Sequence, residues 1–113
     1  MGYEANFDGE LTVQPELTAA EQQYILDNFE ADLDISEDDA ATIACSGAGK
    51  PSVYYEVIED LVRFLRNEEL PDLYPAFAGD RTAHAVNGRI AADDGWRIVV
   101  TEGVVTDIDP DDF

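Results

Sequence analysis

The chain has 113 residues, 45% hydrophobic and 10% aromatic, which suits one domain with a modest core and is too apolar for a disordered acidic tail. Twenty-six acids against six Lys and Arg give a formal net charge of −20, which opposes any general affinity for nucleic acid or anionic membrane and makes a basic protein surface the expected partner. No run approaches bilayer length, and the opening MGYEANFDGE lacks the basic and apolar regions of a signal peptide, so a cytoplasmic protein is expected.

Tyr3, Ala5 and Phe7 alternate with polar residues, and the alternation resumes at Leu11 and Val13. This predicts a strand broken by a bulge or bend at Asp8-Gly9 and ended at Pro15. Thr18 stands three residues before Glu21, the spacing at which hydroxyl and carboxylate each satisfy a free N–H of a first helical turn. Ile25, Leu26, Phe29 and Leu33 follow at helical spacing. A helix is therefore predicted over residues 19–31, with Glu21, Gln22, Gln23, Asp27 and Glu30 turned to solvent.

The densest acidic run, Asp32-Leu33-Asp34-Ile35-Ser36-Glu37-Asp38-Asp39, reads as a solvated loop. Residues 40–45 form a short candidate strand, and Ser46-Gly47-Ala48-Gly49-Lys50-Pro51 a flexible turn leading to Ser52 as N-cap of a second helix. Tyr54, Val57, Ile58, Leu61, Phe64 and Leu65 make that helix's apolar stripe, and it is expected to end near Asn67. Pro71 and Pro75 then break regular structure in an ordered loop over residues 68–80. Residues 81–86 are a candidate short strand, with Asn87-Gly88 either a hairpin turn or a bulge. Asp93-Asp94-Gly95 and Glu102-Gly103 separate three β-branched runs at about 87–92, 96–101 and 104–108, the pattern of an antiparallel meander. The run 96–101 is the expected central strand, with Trp96, Ile98 and Val100 on one face and Trp96 buried against helix two. The whole reads as a single α+β domain over residues 1–113: a mainly antiparallel sheet of four to five strands, two helices packed on one face, and a short acidic tail.

Catalytic motifs are incomplete. In Ala44-Cys45-Ser46-Gly47-Ala48-Gly49-Lys50-Pro51 the first glycine and the final Ser/Thr of a phosphate-binding loop are replaced, so the wrap around phosphate and the magnesium ligand are both lost. Asp32-Leu33-Asp34-Ile35-Ser36 begins like a calcium loop, but Glu37 replaces its turn glycine and Ile43 its closing glutamate. His84, the only histidine, and Cys45, the only cysteine, sit in Ala-rich apolar runs that suit structural roles. No catalytic, cofactor-binding or metal-binding residue is assigned, beyond the weak attraction for divalent cations common to any acidic cluster.

The charge is unevenly placed. Residues 1–49 hold twelve acids and no base, residues 50–97 nine acids and all six bases, and residues 98–113 five acids and no base. The candidate partner-binding residues are accordingly Asp32, Asp34, Glu37, Asp38 and Asp39, together with Asp107, Asp109, Asp111 and Asp112, which one acidic face could unite.

The opening Met1-Gly2-Tyr3-x-Ala5-x-Phe7-x-Gly9-Glu10-Leu11-Thr12-Val13-x-Pro15-x-Leu17, with Trp96-Arg97-Ile98-Val99-Val100-x-x-Gly103-Val104-Val105, resembles a group of small uncharacterised acidic proteins of actinomycetes and their phages. The resemblance covers about forty residues at the two ends and implies a phage- or mobile-element-type accessory protein. Fifteen Asp against eleven Glu, with a single Lys, also resembles the composition of halophilic archaeal proteins. Two functions are expected in consequence: a non-enzymatic nucleic-acid mimic that inhibits a basic host defence or regulatory protein, or a small domain whose acidity answers to strong salt.

Overall fold

A computed structural model describes residues 5–29, 32–36, 38–79, 83–93 and 95–108. The elements run β1 (Ala5–Gln14), α1 (Ala19–Asn28), β2 (Asp32–Ser36), β3 (Asp39–Gly49), α2 (Pro51–Leu65), β4 (Ala85–Ala92), β5 (Arg97–Thr101) and β6 (Val104–Ile108). The strands form one antiparallel six-stranded sheet in the order β2-β3-β1-β4-β5-β6. Both helices contribute to the single buried cluster with one face of that sheet.

The α+β class, the helix pair and the C-terminal meander agree with the sequence pattern; the centre of the sheet does not. β1, not the run 96–101, lies in the middle, paired with β3 on one side and β4 on the other. Its ten residues reach both neighbours, and the crossovers through α1 and α2 deliver β3 and β4 to its two edges. β5 has only five residues and is held by tight turns near the rim. The expected break at Asp8-Gly9 is absent: pairing runs on through Gly9, which faces Cys45 and Ile90. Gly9 serves instead to let β4 come close. A Cβ there would stand 2.1 Å from the Arg89 carbonyl oxygen. Gly88 does the same from β4, and Asn87-Gly88 is continuous strand, neither turn nor bulge.

Two further segments become strand where loops were expected. Asp-Leu-Asp-Ile-Ser over β2 alternates at period two, with Ile35 buried and Leu33 packed against the core, so the acidic run is an amphipathic edge strand. β3 continues through Gly49, and α2 starts on Pro51 with Lys50 as a cap that makes no side-chain bond, so Ser52 is not the N-cap. Proline suits a first helical position because its φ is preset and its missing N–H is needed by no one. The helix stops at Leu65. Asn67 takes a left-handed φ of 63°, Asn67 N–H donates to Phe64 O and Glu68 N–H to Arg63 O, which satisfies the last carbonyls. Residues 81 and 82 of the candidate strand before β4 lie outside the described residues.

The capping box of α1 forms as its spacing predicts, with Glu21 N–H donating to Thr18 Oγ1 at 3.1 Å and Thr18 N–H to Glu21 Oε1 at 2.9 Å. The stripe above it is rotated from the expectation. Glu21, Tyr24 and Ile25 face inward and Leu26 is 46% exposed, because Tyr24 stacks on Phe64 of α2 at 4.6 Å. Phe29, extended in backbone, ends the helix at Asn28 and joins that ring cluster.

The β5–β6 turn, Glu102-Gly103, has φ of 49° and 80°, the two positive angles of a tight primed hairpin. Asn87 Oδ1 accepts from Glu102 N–H at 2.8 Å, and Arg66 donates to Gly103 O at 3.2 Å, which ties the turn to β4 and α2. Trp96 falls outside this core. It precedes β5 and is only part-buried, whereas Ile98 and Val100 on the same parity are 1% and 2% exposed. Trp96→Ala is accordingly expected to cost about 1 kcal/mol in urea unfolding, against about 2–5 kcal/mol for Ile98→Ala.

Candidate functional site

Burying Phe7, Leu11 and Val13 turns Asp8, Glu10, Thr12 and Gln14 of β1 to the sheet face opposite the core, where all four are exposed. The register extends that row sideways. Glu10 lies beside Ala44 of β3, and Ala44 beside Asp34 of β2, so two carboxylates flank one small residue about 10 Å apart across two strand spacings. Asp8 lies beside Ser46 in the next row. The result is a shallow trough floored by Ala44 and Ser46, with Asp8 and Glu10 on one side and Asp34 on the other. Beyond β1 the charge reverses, since Glu10 also faces Arg89, and Arg97 of β5 faces Ala91. At the other end of β1 a cavity of about 430 Å³ is lined by Thr12, Gln14, Thr42 and Asn87 among others.

Among the described residues, Asp34, Asp38 and Asp39 are not brought together with Asp107. Asp34, Asp38 and Asp39 are exposed on the β2–β3 hairpin at one edge of the sheet, while Asp107 is exposed on β6 at the other, about 24 Å away across five spacings. They also differ in face. Asp107 pairs with Ile98, a core-side position, and lies near α2: the Tyr55 hydroxyl, which donates to Val105 O at 3.2 Å, is pushed above its ordinary pKa by burial and then by the charges of Glu59 and Asp107. Asp32 opens β2 opposite Ser46. Glu37, Asp109, Asp111 and Asp112 lie outside the described residues. Asp8 and Glu10, which the trough does use, were missed because the run at the N-terminus was read for its apolar alternation alone. That same alternation marks them as outward.

His84 and Glu21 form a buried pair at 2.8 Å between Nε2 and Oε2, with side chains 0% and 1% exposed. His84 Nδ1 lies 2.7 Å from the Pro15 carbonyl, which can only accept, so Nδ1 carries a hydrogen. The carboxylate also only accepts when ionised, so the pair shares one more proton along Nε2···Oε2. His84 N–H donates in addition to Leu65 O. Through its ring and its main chain, one residue in the lead into β4 thereby joins the loop after β1, the first turn of α1 and the end of α2. The pair is closed off from solvent. Glu21 was expected in solvent; its two oxygens are both used, one by the cap and one by His84.

Cys45 is 1% exposed, and burial together with the charge of Glu10 pushes its thiol up to about 12. Only the thiolate is nucleophilic, so native protein at pH 8 is expected to leave a disulfide reagent such as Ellman's unreacted, and to react fully once unfolded in guanidinium. Rapid modification of folded protein would place Cys45 at the surface. The Gly-rich stretch after it is strand and offers no phosphate loop. Among the described residues no group of three or more His, Cys, Asp and Glu side chains is arranged to hold a metal ion, and no helix is long and apolar enough to cross a membrane. Comparisons with family models, curated proteins and solved structures find no match.

Proposed function

We propose that the chain is a non-enzymatic acidic interaction protein that occupies a basic site on a partner protein, as a nucleic-acid backbone would, and so inhibits it. The observation that carries this reading is the trough on the open sheet face, where Asp8, Glu10 and Asp34 stand on either side of small residues, with both helices of the described residues on the other face. Two carboxylates on one strand and a third two strands away present charge to a Lys- and Arg-lined surface at the fixed spacing of the sheet, and a phage-type inhibitor of a nucleic-acid-binding factor is the concrete form. Calorimetric titration with deca-lysine tests it. Binding is expected to weaken from about 0.1 M to about 1 M salt as the Debye length falls from about 10 Å to 3 Å, and Asp8→Asn/Glu10→Gln/Asp34→Asn is expected to weaken it at the lower salt. Equal affinity for the triple variant would remove the trough from the argument.

A second reading, salt adaptation, is favoured by acids exposed on the helix layer as well: Asp27 on α1, Glu56 on α2, and Glu68, Glu69 and Asp72 after it. A coat of this kind keeps a surface hydrated and needs no partner. It predicts that the melting temperature rises strongly between dilute buffer and about 1 M KCl, where repulsion is screened within about 3 Å. A melting temperature indifferent to salt would dispose of it.

A further inference from the structure

Among the described residues four large hydrophobic side chains stand exposed: Leu26, Val53, Leu73 and Val104, at 46%, 54%, 77% and 60% exposure. Leu73 meets, at Val57, the helix stripe on which Val53 stands. Val53, Glu56, Val57 and Asp60 occupy positions i, i+3, i+4 and i+7 of α2 and so share one stripe of the helix. Val57 and Leu73 line the same cavity of about 230 Å³, closed by Asn28 of α1 and by Tyr74 and Pro75. Tyr74 and Pro75 are also a wall of a second cavity of about 250 Å³, which includes Glu69, Leu70 and Phe77. The wall between the two is fastened on both sides, since Tyr74 donates to Asp60 Oδ2 at 3.0 Å and Tyr24 donates to Pro75 O at 2.6 Å. The groove is therefore present before any partner arrives.

We infer that this groove, between α1, α2 and the loop after α2, is a docking site for a basic amphipathic segment of a partner protein, whose aliphatic side chains enter the two cavities while its Lys and Arg meet the carboxylates on the rim. Isolated exposed hydrophobics need no explanation, but one that lines a cavity beside a half-buried apolar side chain and near carboxylates, as Leu73 does beside Val57, marks a recognition surface. Charge selects the occupant. Glu56 and Glu69 are exposed and Asp60 part-buried beside the apolar floor, and no base stands among the residues that line either cavity. An acidic segment, nucleic acid or an anionic lipid surface would be repelled. A purely basic chain would leave the apolar floor uncovered. The open sheet face lies on the other side of the sheet from the helices, so this surface stands or falls independently of the trough.

The probe is a synthetic helical peptide with Leu at i, i+3, i+4 and i+7 and Lys elsewhere, with deca-lysine as the charge-only control. At about 0.15 M salt, where charges more than about 8 Å apart are screened, the amphipathic peptide is expected to bind wild type at least about tenfold more tightly than Val53→Ser/Leu73→Ser. Both replaced side chains are exposed, so the variant keeps its fold. Glu56→Gln/Glu69→Gln is expected to weaken the peptide as well, and backbone amide shifts in nuclear magnetic resonance are expected at Val57, Leu73 and Phe77. Deca-lysine should not distinguish wild type from Val53→Ser/Leu73→Ser. Unchanged peptide affinity in that variant, shifts confined to Asp8, Glu10 and Asp34, or no binding at all would overturn the inference. The trough reading fails on a different result, indifference of deca-lysine to neutralising Asp8, Glu10 and Asp34.

Discussion

His84→Ala is expected to destabilise the domain by about 3–5 kcal/mol, because it leaves the Glu21 carboxylate buried without a partner for Oε2. Glu21→Ala is expected to fall in the same range, since it strips the first turn of α1 of its reciprocal cap as well. For a domain whose whole stability is about 5–15 kcal/mol, either change brings it near unfolding at room temperature. The two losses are not independent. Each single change strands the other group, so Glu21→Ala/His84→Ala is expected to cost less than their sum, with a coupling of about 0.5–3 kcal/mol in a urea double-mutant cycle. Glu21→Gln is the conservative control: the amide can still accept from Thr18 N–H and offer a donor toward His84, so a smaller loss is expected. Additive single losses, or a His84→Ala variant that melts like wild type, would show that the pair carries no such burden.

Gly9→Ala is expected to cost about 3 kcal/mol, the upper part of the range for forcing extra atoms into a packed interior. Its new Cβ would sit 2.1 Å from Arg89 O and 2.6 Å from Ile90 Cα, and both are backbone of the neighbouring central strand. Side chains can rotate out of the way; a paired strand cannot. Relief therefore requires β1 and β4 to separate, which loosens pairing at the middle of the sheet. Gly88→Ala should behave alike from the other side, with Glu10 O at 2.2 Å and Leu11 Cα at 2.8 Å. Gly49→Ala separates this mechanism from glycine's general effect. Nothing lies within 4 Å of a Cβ at position 49, so the substitution is expected to be neutral or to stabilise by about 0.4–1 kcal/mol through the unfolded chain. Three similar losses would mean that the close approach of β1 and β4 is not the cause.

The candidate site was partly legible. The acidic run at residues 32–39 stands at an exposed edge, but its charge hid the alternation of Leu33 and Ile35 that makes it a strand. Asp8 and Glu10 needed only the alternation of β1 to be placed outward, yet which acids lie beside them depends on a partner strand more than thirty positions on. The groove was less legible still: Val57 read as part of one apolar stripe, and only the path of the loop past Tyr74 leaves part of that helix uncovered.

What the chain determines by itself is local. The capping box at Thr18 and Glu21, the stripe of α2, the primed turn at Glu102-Gly103 and the strand after it all follow from interactions among residues a few positions apart, and each holds in the structure. Tertiary structure decided what depends on distant partners. β1 became the central strand because two crossovers return β3 and β4 to it; Glu21 turned inward because His84, sixty-three positions later, supplied a hydrogen-bonded partner for its charge. Trp96 stayed part-exposed because β5 lies near the rim, and Asp34 and Asp107 were parted because β2 and β6 are opposite edges of the sheet. Local pattern tells a side chain which way it can face, but only the neighbouring strand or helix determines what it then meets.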